Sequence, residues 1–142
     1  MKRLYRQQHL VDFMAVVMQF TRIKIKWSFF SDEAPDLKRA CWAFPLAGWL
    51  LGFIAGGLGQ ILILMDLPVI LGCAIAISFC IYLSGAYHED GLADMADGFG
   101  AGGDGRRISN IIHDSRLGTY GVSALSLAII VRILLVLSLI HI

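Results

Sequence analysis

The stretch Leu67 to Tyr87, LPVILGCAIAISFCIYLSGAY, runs straight into His88-Glu89-Asp90-Gly91-Leu92-Ala93-Asp94-Met95-Ala96-Asp97-Gly98. The first part is an uncharged run of the length that a bilayer core requires, about 20 residues. The second part crowds four carboxylates into nine positions at the mouth of that run. On a helix advancing about 100° per residue, Asp90, Asp94 and Asp97 share an arc of roughly 60°, with Glu89 on the neighbouring face. Like charges about 6 Å apart repel by about 3 kcal/mol at an effective dielectric of about 20. A cation held among the acids explains such a stripe, and oxygen-only ligands favour a hard ion, Mg²⁺. Glu89, Asp90, Asp94 and Asp97 are therefore the candidate metal ligands. The competing reading is a solvated helix face that keeps the span from sliding into lipid.

Working outward, the chain reads as an all-α, polytopic transmembrane helical bundle with about three spans. With 142 residues, 57% of them hydrophobic, and a mean hydropathy of +0.70, it is too apolar for an ordinary soluble domain. The spans are placed at about Cys41–Met65, Leu67–Tyr87 and Tyr120–Ile140, the first two joined as a hairpin by a tight turn at Asp66 and Pro68. Gly48, Gly52 and Gly56 line one face of the first span, with Gly57 and Gly59 beside them, and predict close helix packing. Leu10–Phe20 is short and contains Asp12, so an N-terminal amphipathic helix at the membrane surface or beside the bundle is expected, not a span. Ser28–Arg39 is a polar connector broken by Pro35. The apolar stretch near the N-terminus is followed by Gln19-Phe20-Thr21-Arg22-Ile23-Lys24 without a small-x-small cleavage site, so no secretory leader is expected. Cys41, Cys73 and Cys80 form no Cys-x-x-Cys pair and read as reduced packing residues.

Eight Lys or Arg precede Ala40, Arg106, Arg107 and Arg116 follow the second span, and the turn at Asp66 carries none. The positive-inside rule then puts the N-terminus and the 88–119 segment of a multi-pass chain in the cytoplasm. A net charge of +1 gives no electrostatic case for nucleic acid as a partner. Arg132 lies inside the third span, where an unpaired arginine costs about 2.5–3.5 kcal/mol on insertion scales. It is expected to face the interior or a polar cavity, in a structural or a functional role, and no acid within the first two spans offers itself as partner.

The 88–119 segment, a cytoplasmic acidic and glycine-rich active-site loop within a single membrane domain, has three parts. The acidic helix end comes first. Gly98 to Gly105 follows, too rich in glycine to hold a helix at about 1 kcal/mol per glycine, and suited to close backbone approach by a ligand. Arg106 to Gly118 comes last, with Ile108, Ile111 and Ile112 on one face and Arg107, Asn110 and Asp114 on another. Carboxylates for a divalent ion, glycines for access and arginines for phosphate oxygens are together the parts of a phosphoryl-transfer site. Arg106 and Arg107 also suit a plainer role as membrane-surface anchors. His88 and His113 read as supporting groups beside oxygen ligands, and Ser115 as no nucleophile, since only His113 is near it.

Ser84-Gly85-Ala86-Tyr87-His88-Glu89-Asp90-Gly91-Leu92-Ala93-Asp94 with Asp97-Gly98, then Asp114-Ser115-Arg116-Leu117-Gly118-Thr119-Tyr120-Gly121, closely resembles the cobalamin-5′-phosphate synthase (adenosylcobinamide-GDP ribazoletransferase) family. Gln19-Phe20-Thr21-Arg22 and Phe44-Pro45-Leu46-Ala47-Gly48 agree with it, so the resemblance covers nearly the whole chain. It implies a multi-pass enzyme of the cell's inner membrane, acting in late cobalamin biosynthesis and requiring Mg²⁺. The implied reaction joins adenosylcobinamide-GDP to α-ribazole, or its 5′-phosphate, and releases GMP. It further implies chains about twice this length, so that this one is the N-terminal half, completed by further helices, a second chain or a homo-oligomer. On that basis Asp94, Asp90 and Arg116 are the expected catalytic residues, with Asp94 the first choice to take the hydroxyl proton. Arg106, Arg107 and Arg116 are expected on phosphate oxygens, and Asp114 positions Arg116 or a metal-bound water. The alternatives are another Mg²⁺-dependent membrane transferase, acting on a prenyl diphosphate or a CDP-alcohol, and a cation transporter or its accessory subunit.

Overall fold

The computed structural model describes residues 2–29, 34–114 and 116–140, so connector positions 30–33, Ser115 and His141 lie outside the described residues. Six α-helices follow in order: α1 (Lys2–Phe20), α2 (Phe44–Leu64), α3 (Val69–Ser84), α4 (Tyr87–Ala101), α5 (Gly105–Ile112) and α6 (Thr119–Ile140), with no strand among the described residues. Among the described residues, two helices are long and apolar enough to cross a bilayer. One is Arg39–Leu64, in which a 3₁₀ segment, Arg39–Ala43, leads into α2; the other is α6. Trp49 and Phe53 are each 67% exposed and Leu139 72%. Water would not tolerate such a surface on this scale, but hydrocarbon does. The chain is thus an all-helical membrane protein.

The second expected crossing, Leu67–Tyr87, is built as part of a bent pair of helices. α3 has only 16 residues, about 24 Å at 1.5 Å per residue, and the chain then turns by 89° into α4. A third crossing exists only if the bent pair is counted as one. Gly85 (φ 73°) and Ala86 (φ 60°) are both left-handed, which ends α3 and starts α4 in a new direction. For the alanine this conformation costs about 1–2 kcal/mol. Contacts from the segment after α1 offset that cost. The Arg22 N–H donates to the Leu83 carbonyl at 2.8 Å, and the Arg22 guanidinium sits 5.4 Å from the centre of the Tyr82 ring. Phe20 lies nearly parallel to the His88 ring and edge-on to Tyr87 and Phe44.

α1 packs beside the bundle and is not a span. Val16, fully buried, contributes about 1.5–3 kcal/mol. With Val17 it meets Ala40, Ala43 and Ala47. Asp12, 3% exposed, is buried in the same place and accepts from Arg39 at 3.0 Å, Gln8 at 3.2 Å and Trp42 at 3.4 Å. α2 and α3 form the expected hairpin, turning at Asp66 (φ 65°). Of the glycine stripe, only the Gly59 end makes its tight contact. A Cβ at Gly48, Gly52 or Gly56 would meet nothing within 4 Å, whereas one at Gly59 would lie 2.9 Å from the Gly72 carbonyl oxygen. Small residues mark a packed face only where a neighbour is present to use it.

The expected glycine loop is also corrected. α4 continues through Gly98, Phe99 and Gly100 to Ala101, and the chain breaks only at Gly102 (φ 63°) and Gly103 (φ 117°). The glycines are spacers: a Cβ at Gly98 would strike Ile112, and one at Gly100 would strike the Tyr120 ring. Close packing against α5 and α6 outweighs their weak helix propensity. α5 then starts on Asp104, whose side chain accepts from the Arg107 N–H at 2.9 Å.

Candidate active site

The elbow lays α4 across the end of the bundle, where it packs on α5 and on the start of α6. Its four acids therefore meet four different surroundings. Asp97, 7% exposed, is turned toward α6. Its two oxygens accept from the Gly118 N–H at 2.7 Å and the Gly121 N–H at 2.8 Å. It satisfies amides that the first turn of α6 leaves unpaired, at the positive end of that helix's dipole. Gly118 and Gly121 allow this because a Cβ at either would overlap the Asp97 carboxylate.

Glu89, 9% exposed, pairs with the midspan cation: its Oε1 accepts from Arg132 Nη1 at 2.5 Å. The missing partner of Arg132 is thus the acid just past the elbow. Glu89 Oε2 is buried and has no hydrogen-bond partner.

Asp90 and Asp94, one helical turn apart, are the acids left for other work. With Glu89 they line one wall of a cleft of about 440 Å³. His113, Asp114, Arg116 and Leu117 form the facing wall, and Leu125 of α6 also lines it. Arg116 grips Asp114 with Nε at 2.9 Å and Nη2 at 2.6 Å from Oδ2. These bonds hold the Asp114 carboxyl below the ordinary aspartate range, and Asp114 in turn raises Arg116. The Arg116 side chain is 88% exposed, so most of its donors remain open to an incoming anion. The His113 Nδ1 lies 2.7 Å from the Ser109 carbonyl oxygen, which fixes its ring at the rim.

Of the eight expected site residues, the cleft gathers Glu89, Asp90, Asp94, Asp114 and Arg116. Arg106 and Arg107 lie outside it, exposed on the first turn of α5. Asp97 is held away on α6. Ser115 falls outside the described residues. The elbow residues Phe20 and Arg22 carry no chemical signature of their own. Only their place in the Gln19-Phe20-Thr21-Arg22 motif marked them.

Among the described residues, no three His, Cys, Asp or Glu side chains converge closely enough to hold a metal by themselves. Two carboxylates on one wall fit Mg²⁺ in its other usual manner, in which one or two protein carboxylates share the ion with substrate phosphates. The cleft alone is rich in negative charge, with Asp90, Asp94 and Asp114 against Arg116. A polyanion enters it favourably only together with a cation.

The comparisons with known proteins agree with one another. The family model described as cobalamin-5-phosphate synthase matches residues 12–142. The chain is 38% identical to an adenosylcobinamide-GDP ribazoletransferase of Azorhizobium caulinodans, over 89% of this chain and 48% of that protein. It is 40% identical to one of Ralstonia pickettii, over 89% and 49%, and 43% identical to one of Ralstonia nicotianae, over 80% and 43%. The chain spans about half the length of these curated relatives. No solved structure matches it.

Proposed function

The chain belongs to the cobalamin-5-phosphate synthase family, and from that premise we propose that it carries the metal- and diphosphate-binding part of an adenosylcobinamide-GDP ribazoletransferase. The reaction transfers the adenosylcobinamide phosphate group from adenosylcobinamide-GDP to a hydroxyl of α-ribazole or its 5′-phosphate. The acceptor oxygen bonds to the phosphorus nearer the corrinoid, and the bond to GMP breaks. Family membership favours this over prenyl or CDP-alcohol transfer and over a cation pathway.

The cleft between α4 and the α5–α6 connection carries the reading. Asp90 and Asp94 would hold Mg²⁺ jointly with diphosphate oxygens, and the bound ion would neutralise charge on the departing phosphate. Arg116 would bond phosphate oxygens through its remaining donors, while Asp114 holds the guanidinium by its Nε and Nη2. Arg106 and Arg107, exposed on the first turn of α5, would attract the polyanion without gripping it. The distribution of basic residues supports a cleft that faces the cytoplasm, and family membership supports the inner membrane.

The test uses the 142-residue chain in lipid nanodiscs and labelled adenosylcobinamide-GDP. Retention is expected with Mg²⁺ and is expected to fall at least tenfold with EDTA or in Asp94→Asn. Retention that is indifferent to both overturns the reading.

A further inference from the structure

The bend between α3 and α4 is weakly specified by its own residues. Residues 69–101 contain no proline, and a straight helix over that range would run about 50 Å. Gly85 stops α3 in an ordinary way, left-handed at φ 73°. Its N–H donates back to the Tyr82 carbonyl at 3.2 Å, and the Ala86 N–H to the Ile81 carbonyl at 3.0 Å. Ala86 is different, because at φ 60° it holds a conformation that a residue with a Cβ rarely adopts. Both residues have a right-handed alternative, and in it α3 continues straight into α4.

The contacts that oppose straightening come from the end of α1. Thr21 closes that helix: its Oγ1 donates to the Val17 carbonyl at 2.6 Å and accepts from the Ile23 N–H at 3.1 Å. The chain then crosses the elbow. In a continuous helix the Leu83 carbonyl would accept from the Tyr87 N–H. Here it accepts from the Arg22 N–H at 2.8 Å. The Arg22 stem lies against Gly85, where a Cβ would be 3.3 Å from Arg22 Cγ, and the guanidinium covers the Tyr82 ring. On the α4 side, Phe20 stacks on His88 at 6.0 Å and meets Tyr87 edge-on at 5.7 Å. Phe20 and Ile25 also pack on the buried cluster around Val16, which ties the crossing segment to α1 and α2.

The consequence falls on the cleft. Ala86 forms part of its wall, together with Asp90 and Asp94. Asp94 lies about 12 Å beyond Ala86 along α4, so straightening the 89° bend would carry it about 17 Å from its place against the α5–α6 connection.

We infer that Phe20 and Arg22 are positioning residues of the diphosphate cleft. They hold the Gly85–Ala86 elbow in its bent form, and only that form sets Asp90 and Asp94 opposite Arg116. Neither residue lines the cleft, and both act through the direction of α4. Docking of α1 is thereby coupled to a cleft that α1 does not touch. The use of the cleft rests on the proposed function, whereas the control of the elbow stands apart from it.

Spin labels on Met95→Cys and Val122→Cys, exposed positions on two helices that pack together, read whether α4 lies on α6. The chain, lacking Cys41, Cys73 and Cys80, is held in lipid nanodiscs. The unaltered elbow should give one short separation. Phe20→Leu combined with Arg22→Ala should add a population longer by about 10 Å or more. It should also lower Mg²⁺-dependent retention of adenosylcobinamide-GDP at least fivefold. Arg22→Ala alone removes an exposed side chain and keeps the backbone bond, and should move both readouts the same way by a smaller factor. Arg22→Lys keeps a cation over Tyr82 and should match the unaltered chain within twofold. Adding Ala86→Gly to the combined variant favours the left-handed form and penalises the continuous helix. It should bring back the short separation and the retention, which a general loss of folding would not allow. Retention that falls while the separation stays short overturns the inference, as does a combined variant that changes neither. Failure of Ala86→Gly to restore the bend overturns it too. An unaltered chain that retains no conjugate sinks the proposed function, and the separations still decide whether Phe20 and Arg22 hold the elbow.

Discussion

Asp97 shows how one residue type divides its labour within a single helix. Sequence spacing put it on the same stripe as Asp90 and Asp94, yet both its oxygens are engaged by amides of the next helix. Hydrogen bonds to a charged acceptor contribute about 1.5–3 kcal/mol each. Asp97→Asn turns one acceptor oxygen into a donor facing an N–H. It should therefore lower unfolding free energy in detergent by about 1–3 kcal/mol, measured by denaturant titration of helicity. Asp94→Asn, in the open cleft, should change stability by less than about 0.5 kcal/mol while removing Mg²⁺-dependent binding. Equal stability of Asp97→Asn and the unaltered chain would return Asp97 to the metal ligands. The motif marked these residues as special, but a helical wheel has no way to separate a ligand from a cap when the capped helix starts 22 residues later.

At the scale of elements, the elbow and the docked α1 decide where the cleft lies. Ala86 is left-handed at φ 60° in a conformation that glycine adopts freely. Ala86→Gly should stabilise the chain by up to about 1 kcal/mol, and Gly85→Val should destabilise it by more, both read from thermal unfolding in detergent. A lowered melting temperature for Ala86→Gly would exclude this account of the bend. α1 is held through Asp12. Burial pushes that carboxyl up, but hydrogen bonds from Gln8, Arg39 and Trp42, with the Arg39 charge, bring it below the ordinary aspartate value. A depressed folded-state value means that the stabilisation is present above the unfolded pKa, about 3.9, and is lost as pH falls through the folded one. Trp42 fluorescence, recorded with Trp27 and Trp49 replaced by Phe, should stay constant from pH 7 to about pH 4 and change only below that. A transition centred near pH 5 or 6 would contradict the assigned pairing. The helix content of 98–101 was illegible because glycine propensity argues against it, and only the Ile112 and Tyr120 side chains pressed onto those glycines reverse the balance.

For the whole molecule, the arrangement is a membrane bundle with its polar helices folded over one end. Cysteine placed at Asp104, in a background lacking Cys41, Cys73 and Cys80, should react with an impermeant maleimide from the cytoplasmic side. Cysteine at Asp66 should react from the opposite side. The reverse pattern would invert the topology and put the cleft on the opposite side of the membrane. The glycine face of α2 lies open at Gly48, Gly52 and Gly56, and part of it opens onto the cavities beside Glu89.

The residues alone determined that the chain is helical and lives in a membrane, because an uncharged run of bilayer length has few other stable settings. They also single out the segment after Tyr87 as the candidate site, because clustered carboxylates are costly without a purpose. Tertiary structure decided the rest. It bent the second hydrophobic run through a right angle, committed Glu89 to Arg132 and Asp97 to α6, and left Asp90 and Asp94 facing Arg116. Those choices depend on contacts between residues far apart in the chain, and the energy of such contacts is set by packing geometry that no local pattern encodes.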